Sequence, residues 1–140
     1  MEKSKRNTII EVIPNTGLYY DRGLREYEKG NIPRAQKYFQ IGASLAENEQ
    51  DRYFGLCQVA LLHQHLGNFQ ESLELLEELL AKGTSRYPEM YFFQANNYAF
   101  LEEYKEALKL TERYLRIEPD GEYAEEAFEF KEMLEEEWYN

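Results

Sequence analysis

Residues 60–82 read ALLHQHLGNFQESLELLEELLAK. A turn, Gly67-Asn68-Phe69, divides this stretch into two runs. In the second run Leu73, Leu76, Leu79 and Leu80 recur three and four residues apart, so they share one face of an α-helix. Asn68 stands three residues ahead of Glu71, the spacing of an N-cap with a capping-box partner. Small residues flank the turn: Ala60 lies seven residues before Gly67, and Ser72 three after Phe69. Two helices joined by a tight turn approach closely only where the contact lacks bulk. The stretch therefore predicts a helical hairpin, with helices over 52–65 and 69–82.

Working outward, the same unit recurs on both sides. Gly30-Asn31-Ile32 precedes Ala35, and Glu102-Glu103-Tyr104 precedes Ala107, at spacings of 37 and 35 residues from turn to turn. Gly23 and Ala95 repeat the small residue seven positions ahead of each turn. Independent landmarks thus agree on one register, the mark of a repeat architecture. The pattern predicts further pairs at 17–28 with 32–48, and 88–101 with 104–117. Pro33 and Pro88 fall at helix starts, where a missing N–H costs nothing, and Pro119-Asp120-Gly121 closes the third pair. Twelve Tyr and eight Phe supply bulk to fill the space between units.

A last helix is expected over 121–138, placing Tyr123, Ala127, Phe130, Leu134 and Trp138 on one stripe. From Glu118 onward ten carboxylates stand against the single Lys131. They read as the solvated outer face of a capping helix, which a stacked array needs at its end, or as a docking site for a basic partner. The expected division is an extended N-terminal segment over 1–16, three repeats over 17–120, and an acidic C-terminal capping helix over 121–140.

With 140 residues and 43% apolar content the chain can close one core unaided. Its net charge of −11 repels phosphate backbones, so no nucleic acid is expected as a partner. No run approaches the ~18 apolar residues of a membrane span, and Ile9–Ile13, interrupted by Glu11, is too short for a signal-peptide core. Cys57 is the single cysteine. A cytoplasmic location and no membrane partner are the expectations.

These landmarks resemble the tetratricopeptide repeat family. The third unit carries the resemblance most fully through Tyr91, Ala95, Tyr98, Tyr104, Ala107 and Pro119; the second through Leu56, Val59, Ala60, Phe69, Ser72, Leu76 and Leu79; the first through Tyr19, Gly23, Gly30, Ala35 and Phe39. Together they span residues 17–119. Departures occur at Arg22 and Gln94, where a large apolar residue is usual, at Glu26 and His63, where Tyr is usual, and at Thr111, where an aromatic is usual. The resemblance implies an all-α, right-handed superhelical stack of about three helix-turn-helix repeats with a C-terminal capping helix. It also implies a concave groove lined by the first helix of each unit. Carried over residue by residue, that groove holds Tyr20, Leu24 and Tyr27, then Phe54, Cys57, Leu61, Gln64 and His65, then Phe92, Asn96, Ala99 and Phe100. A subset of the family clamps a chaperone's C-terminal carboxylate with Lys and Asn, whereas the matching positions here hold Tyr20, Leu24, Cys57 and Leu61. Chaperone-tail binding is not expected.

Catalytic chemistry has no visible place. His63 and His65 stand two apart on a helix, about 200° around its axis, and cannot share a metal. Cys57 reads as a buried small hydrophobe rather than a nucleophile, and no phosphate loop, GxSxG elbow or HExxH is present. No catalytic residue, metal or cofactor is expected. The function expected is a non-catalytic adaptor that takes an apolar or aromatic peptide or helix of a protein partner in its groove. The alternative is a structural protein that forms a homodimer through the groove or the Trp138 helix. Ile9, Ile10, Val12 and Ile13 lie outside the repeats with no core of their own, so the N-terminal segment is expected either to be an unordered terminus or to lie in the groove of its own or a neighbouring molecule.

Overall fold

The computed structural model describes residues 14–83 and 87–139. The N-terminal segment's first thirteen residues, and with them its expected seat in the groove, lie outside the described residues. Seven helices follow in order among the described residues: α1 Thr16–Glu28, α2 Ile32–Ser44, α3 Glu49–His65, α4 Phe69–Gly83, α5 Glu89–Phe100, α6 Tyr104–Ile117 and α7 Ala124–Tyr139. Each packs on the next, and α3 also touches α5 across the stack. The result is an all-α array of three helical hairpins with α7 laid on its end.

The hairpin turns share one mechanism. Gly30 and Gly67 adopt left-handed backbone, φ 86° and 79°, and Glu102 does so at the third turn with φ 64°. At each turn the left-handed residue's N–H and the next one reach back to the last turn of the helix. Gly30 donates to Tyr27 O and Asn31 to Glu26 O, Gly67 to Gln64 O and Asn68 to His63 O, Glu102 to Ala99 O and Glu103 to Tyr98 O. This paired closure satisfies carbonyls that a helix end otherwise leaves bare.

The small residues expected at the hairpin contacts are all buried, with Ala35, Ala60, Ser72, Ala95 and Ala107 wholly inaccessible. At Gly23 even one carbon is too much, because a Cβ there would lie 2.7 Å from the Phe39 ring. α2 stops at Ser44 rather than near 48, since Asn48 is needed as the N-cap of α3, where its side chain accepts from Asp51 N–H at 2.8 Å. Asn15 caps α1 in the same way, accepting from Leu18 N–H. At α4 the first backbone bond runs from Ser72 N–H to Asn68 O, as Arg52 N–H bonds to Asn48 O at α3.

α7 begins at Ala124, three residues later than expected, because residues 118–123 turn beneath Tyr114. The Tyr114 hydroxyl accepts from Tyr123 N–H at 3.1 Å, and a Cβ on Gly121 would come within 2.5 Å of that oxygen. Ala127 and Leu134 then seal the third hairpin, with Phe130 partly buried beside them. Trp138's side chain lies outside the described residues. Leu76 and Tyr114, each almost fully inaccessible, anchor the largest core cluster, and burial of such a side chain stabilises the fold by about 1.5–3 kcal/mol.

Candidate functional site

The first helices of the hairpins present a common inner face. Leu24 and Tyr27 of α1 and Leu61, Gln64 and His65 of α3 line a cavity of about 300 Å³, closed by Phe93 of α5 and by Tyr123. Phe54 and Cys57 line a second cavity of about 270 Å³ with Tyr87, Met90, Glu89 and Glu122. Gln58, Leu61, Phe93 and Tyr123 belong to both, so the two cavities adjoin in one trough. Leu24 is 53% exposed and Tyr27 40%, the latter edge-on to the His65 ring at 5.4 Å. Leu24 and Tyr27 thus leave apolar surface open along the trough.

The remaining residues assigned to the groove from sequence divide three ways. Asn96, Ala99 and Phe100 line a separate cavity of about 310 Å³ against Tyr104, Phe130 and Met133, between α5 and α7. Phe100 is 64% exposed yet stacks on Phe69 at 4.1 Å. Phe92 is a correction: it is 5% exposed and packs among Tyr114, Tyr123 and Phe130, so it belongs to the core. Tyr20 is likewise committed to packing. Its ring sits where a Cβ on Gly42 or Gly55 would collide, and its hydroxyl donates to Asp51 O at 2.5 Å. Burial, opposed by a Gly55 backbone bond and aided by the Asp51 charge, pushes its pKa up to about 12.

Cys57 touches the trough but is 2% exposed, and burial pushes its thiol up to about 12, with a contribution from the charge of Glu89. A thiol held neutral in this way is a poor nucleophile. Among the described residues, no group of three or more His, Cys, Asp or Glu comes together as a metal site, and no helix is long and apolar enough to cross a membrane.

A polar network runs beside the trough, and of its members the sequence marked only Gln94 as a departure, Ser72 as a small contact and Gln64 as a groove residue. Gln94 donates to Leu73 O at 2.9 Å, and Asn97 donates to Ser72 Oγ at 2.9 Å and to Gln94 Oε1 at 3.0 Å. Gln64 donates to Phe93 O at 2.7 Å and to Asn97 Oδ1 at 2.9 Å. The network ties α3 and α4 of the second hairpin to α5 of the third.

No protein-family model matches the sequence. The TPR repeat-containing protein YvcD of Bacillus subtilis (strain 168) is 31% identical over 134 residues, 96% of this chain and 27% of its own length. The first TPR of Spaghetti (RPAP3), solved bound to the HSP90 peptide SRMEEVD, superposes with a TM-score of 0.77 at 18% identity, across 89% of this chain and 94% of that one. PcrH in complex with the chaperone binding region of PopD gives 0.74 at 18% identity, across 86% and 91%.

The chain is built of tetratricopeptide repeats. It spans 27% of the length of the curated relative it matches.

Four of the five departures from the tetratricopeptide pattern have local partners, whereas the buried Nδ1 of His63 has none among the described residues. Gln94 and Thr111 are buried but satisfied, Thr111 through Oγ1 to Ala107 O at 2.8 Å. Glu26 accepts from the Asn31 amide at 2.7 Å and pairs with Arg34 at 4.0 Å, and Arg22 lies over the Tyr19 ring. Phe93, Gln58, Glu89, Glu122 and Tyr123 are among the trough residues that sequence reasoning missed. For Phe93 the signal was its place beside Phe92, one step around a helix whose apolar residues occupy every side.

Proposed function

We propose that this tetratricopeptide unit is a non-catalytic protein-binding module that takes an apolar or aromatic peptide or helix of a partner in the trough between α1, α3 and α5. The observation that carries the reading is the continuity of exposed Leu24, Tyr27 and Phe54 with Leu61 and Phe93 along two adjoining cavities. The two fold neighbours that were solved with a bound peptide or binding region support the same use of the fold. Peptides of about 12 residues selected by the full chain from a displayed library should bind the Leu24→Ala, Tyr27→Ala double variant about tenfold or more weakly, as truncation of anchor residues commonly costs at least ~1.4 kcal/mol. The variant's melting temperature should stay close to the parent's. Equal binding by the variant refutes the assignment.

A second reading rests on the opposite end of the array. Phe100, Phe128 and Met133 are each more than half exposed, and Phe100 and Met133 line one cavity. A copy of the chain seated there makes a homodimer. Sedimentation over a wide concentration range tests it: Phe100→Ser, Met133→Ser should abolish a dimer, and a wild-type chain that stays monomeric excludes one.

A further inference from the structure

The trough differs from end to end. At the end formed by Leu24, Tyr27, Gln64 and His65 no carboxylate is among the described lining residues. At the other, formed by the start of α5 and the turn into α7, Glu89 and Glu122 join Phe54, Met90, Phe93 and Tyr123. Among the described residues no Lys or Arg lines either cavity and no ion pair engages Glu89 or Glu122. Glu89 is half-buried, so its carboxylate has already lost part of its water. Its charge is felt by several neighbours. It adds to the upward shifts that burial produces at Cys57, Tyr114 and Tyr123, and Glu122 adds to the last two. A negative field at an apolar wall, with no cation among the described residues lining it, is complementary to a cation on the ligand.

Resting on the binding reading above, we propose that the partner segment is apolar and carries a lysine or arginine, which docks against Glu89 and Glu122 while its apolar side chains run toward Leu24 and Tyr27. The trough thereby fixes the direction of the bound chain as well as its composition. It also opposes an acidic tail such as the SRMEEVD peptide held by the Spaghetti (RPAP3) neighbour.

The test is selection from a displayed random library of about 12-residue peptides on the full chain, read by sequencing, and repeated on Glu89→Lys, Glu122→Lys. The expected result is enrichment of Leu, Ile, Phe or Tyr together with Lys or Arg on the wild type, and a switch from basic to acidic residues on the reversed variant. A synthetic copy of a wild-type-selected peptide should bind the variant about tenfold more weakly, and the wild type less tightly as salt rises. A lysine in the first turn of α5 opposes the helix dipole, so Glu89→Gln, Glu122→Gln is run alongside as the variant that keeps the fold. Apolar enrichment without basic residues, or affinity indifferent to both variants, overturns this inference and leaves the binding function standing. Peptides selected on every variant but indifferent to Leu24→Ala, Tyr27→Ala overturn both. A wild type that enriches nothing but binds a synthetic peptide of residues 1–14 assigns the trough to the chain's own terminus, and a wild type that sediments as a dimer losing its association on charge reversal assigns it to a second copy. Either result also overturns the proposal.

Discussion

Glu102 sits at the one hairpin turn where left-handed backbone is imposed on a residue with a side chain. Its φ of 64° matches the turn geometry of Gly30 and Gly67, and the hydrogen bonds of the three turns are the same. For an L-residue that conformation costs about 1–2 kcal/mol through the clash of Cβ with the neighbouring carbonyl. Glycine removes the clash but gives the unfolded chain more freedom, which returns roughly 0.5–1 kcal/mol. Glu102→Gly should therefore stabilise the fold by about 0.5–1 kcal/mol and raise the melting temperature by about 2–5 °C for a domain of this size. Circular dichroism at 222 nm, the ordinary helix wavelength, is followed through the thermal transition. The companion variant is Gly67→Ala: nothing lies within 4 Å of the Cβ it would add, so its effect reports backbone conformation alone. It should lower stability by about 1 kcal/mol. A lower melting temperature for Glu102→Gly, or no change in Gly67→Ala, refutes the shared-turn account.

Three other outcomes are expected. Asn97→Ala should cost about 1–3 kcal/mol in chemical denaturation, because it strips the bonds to Ser72 and Gln94 and leaves Gln64 short of one acceptor; a loss below a few tenths would show the network to be incidental. Phe92→Ala should cost about 3–5 kcal/mol through the cavity it leaves, whereas Tyr27→Ala, being 40% exposed, should cost far less and act on peptide binding instead; similar losses for the pair would contradict the division of core from trough. Between pH 9 and 11 stability should fall, since the unfolded thiol ionises near its ordinary value while folded Cys57, raised to about 12, and Tyr20, also near 12, hold their protons. The unfolded state then binds fewer protons, so the slope is negative, and Cys57→Ala should flatten it when melts are compared across that range.

The hairpins were legible because two signals coincide in the sequence. Turn residues and small residues recur at matched spacings, and each small residue has a steric duty that leaves no substitute, as the Gly23 and Phe39 contact shows. The trough was legible only where a helix has a dry side and a wet one. α1 is such a helix, and Leu24 and Tyr27 fall on the open face. α5 is enclosed by its neighbours, with Met90, Tyr91, Phe92, Gln94, Ala95 and Asn97 all buried, so its apolar periodicity points nowhere in particular. Phe92 was taken for the wall in place of Phe93 for that reason. Tyr20 was misplaced because its socket is made of Gly42 and Gly55, and an absent side chain leaves no pattern to read. The polar network was hidden too: Gln94 reads as a flaw in an apolar position until Leu73 O and Asn97 are seen beside it.

The central claim, that the trough between α1, α3 and α5 is where a partner binds, is tested most directly by amide chemical-shift mapping. A library-selected peptide is titrated into the isotopically labelled full chain. The account predicts that the largest shifts fall on Leu24, Tyr27, Gln58, Leu61 and Phe93, the residues that line the adjoining cavities. Shifts concentrated instead on Tyr98, Leu110 and Arg113, which line two other cavities along α5 and α6, would contradict it.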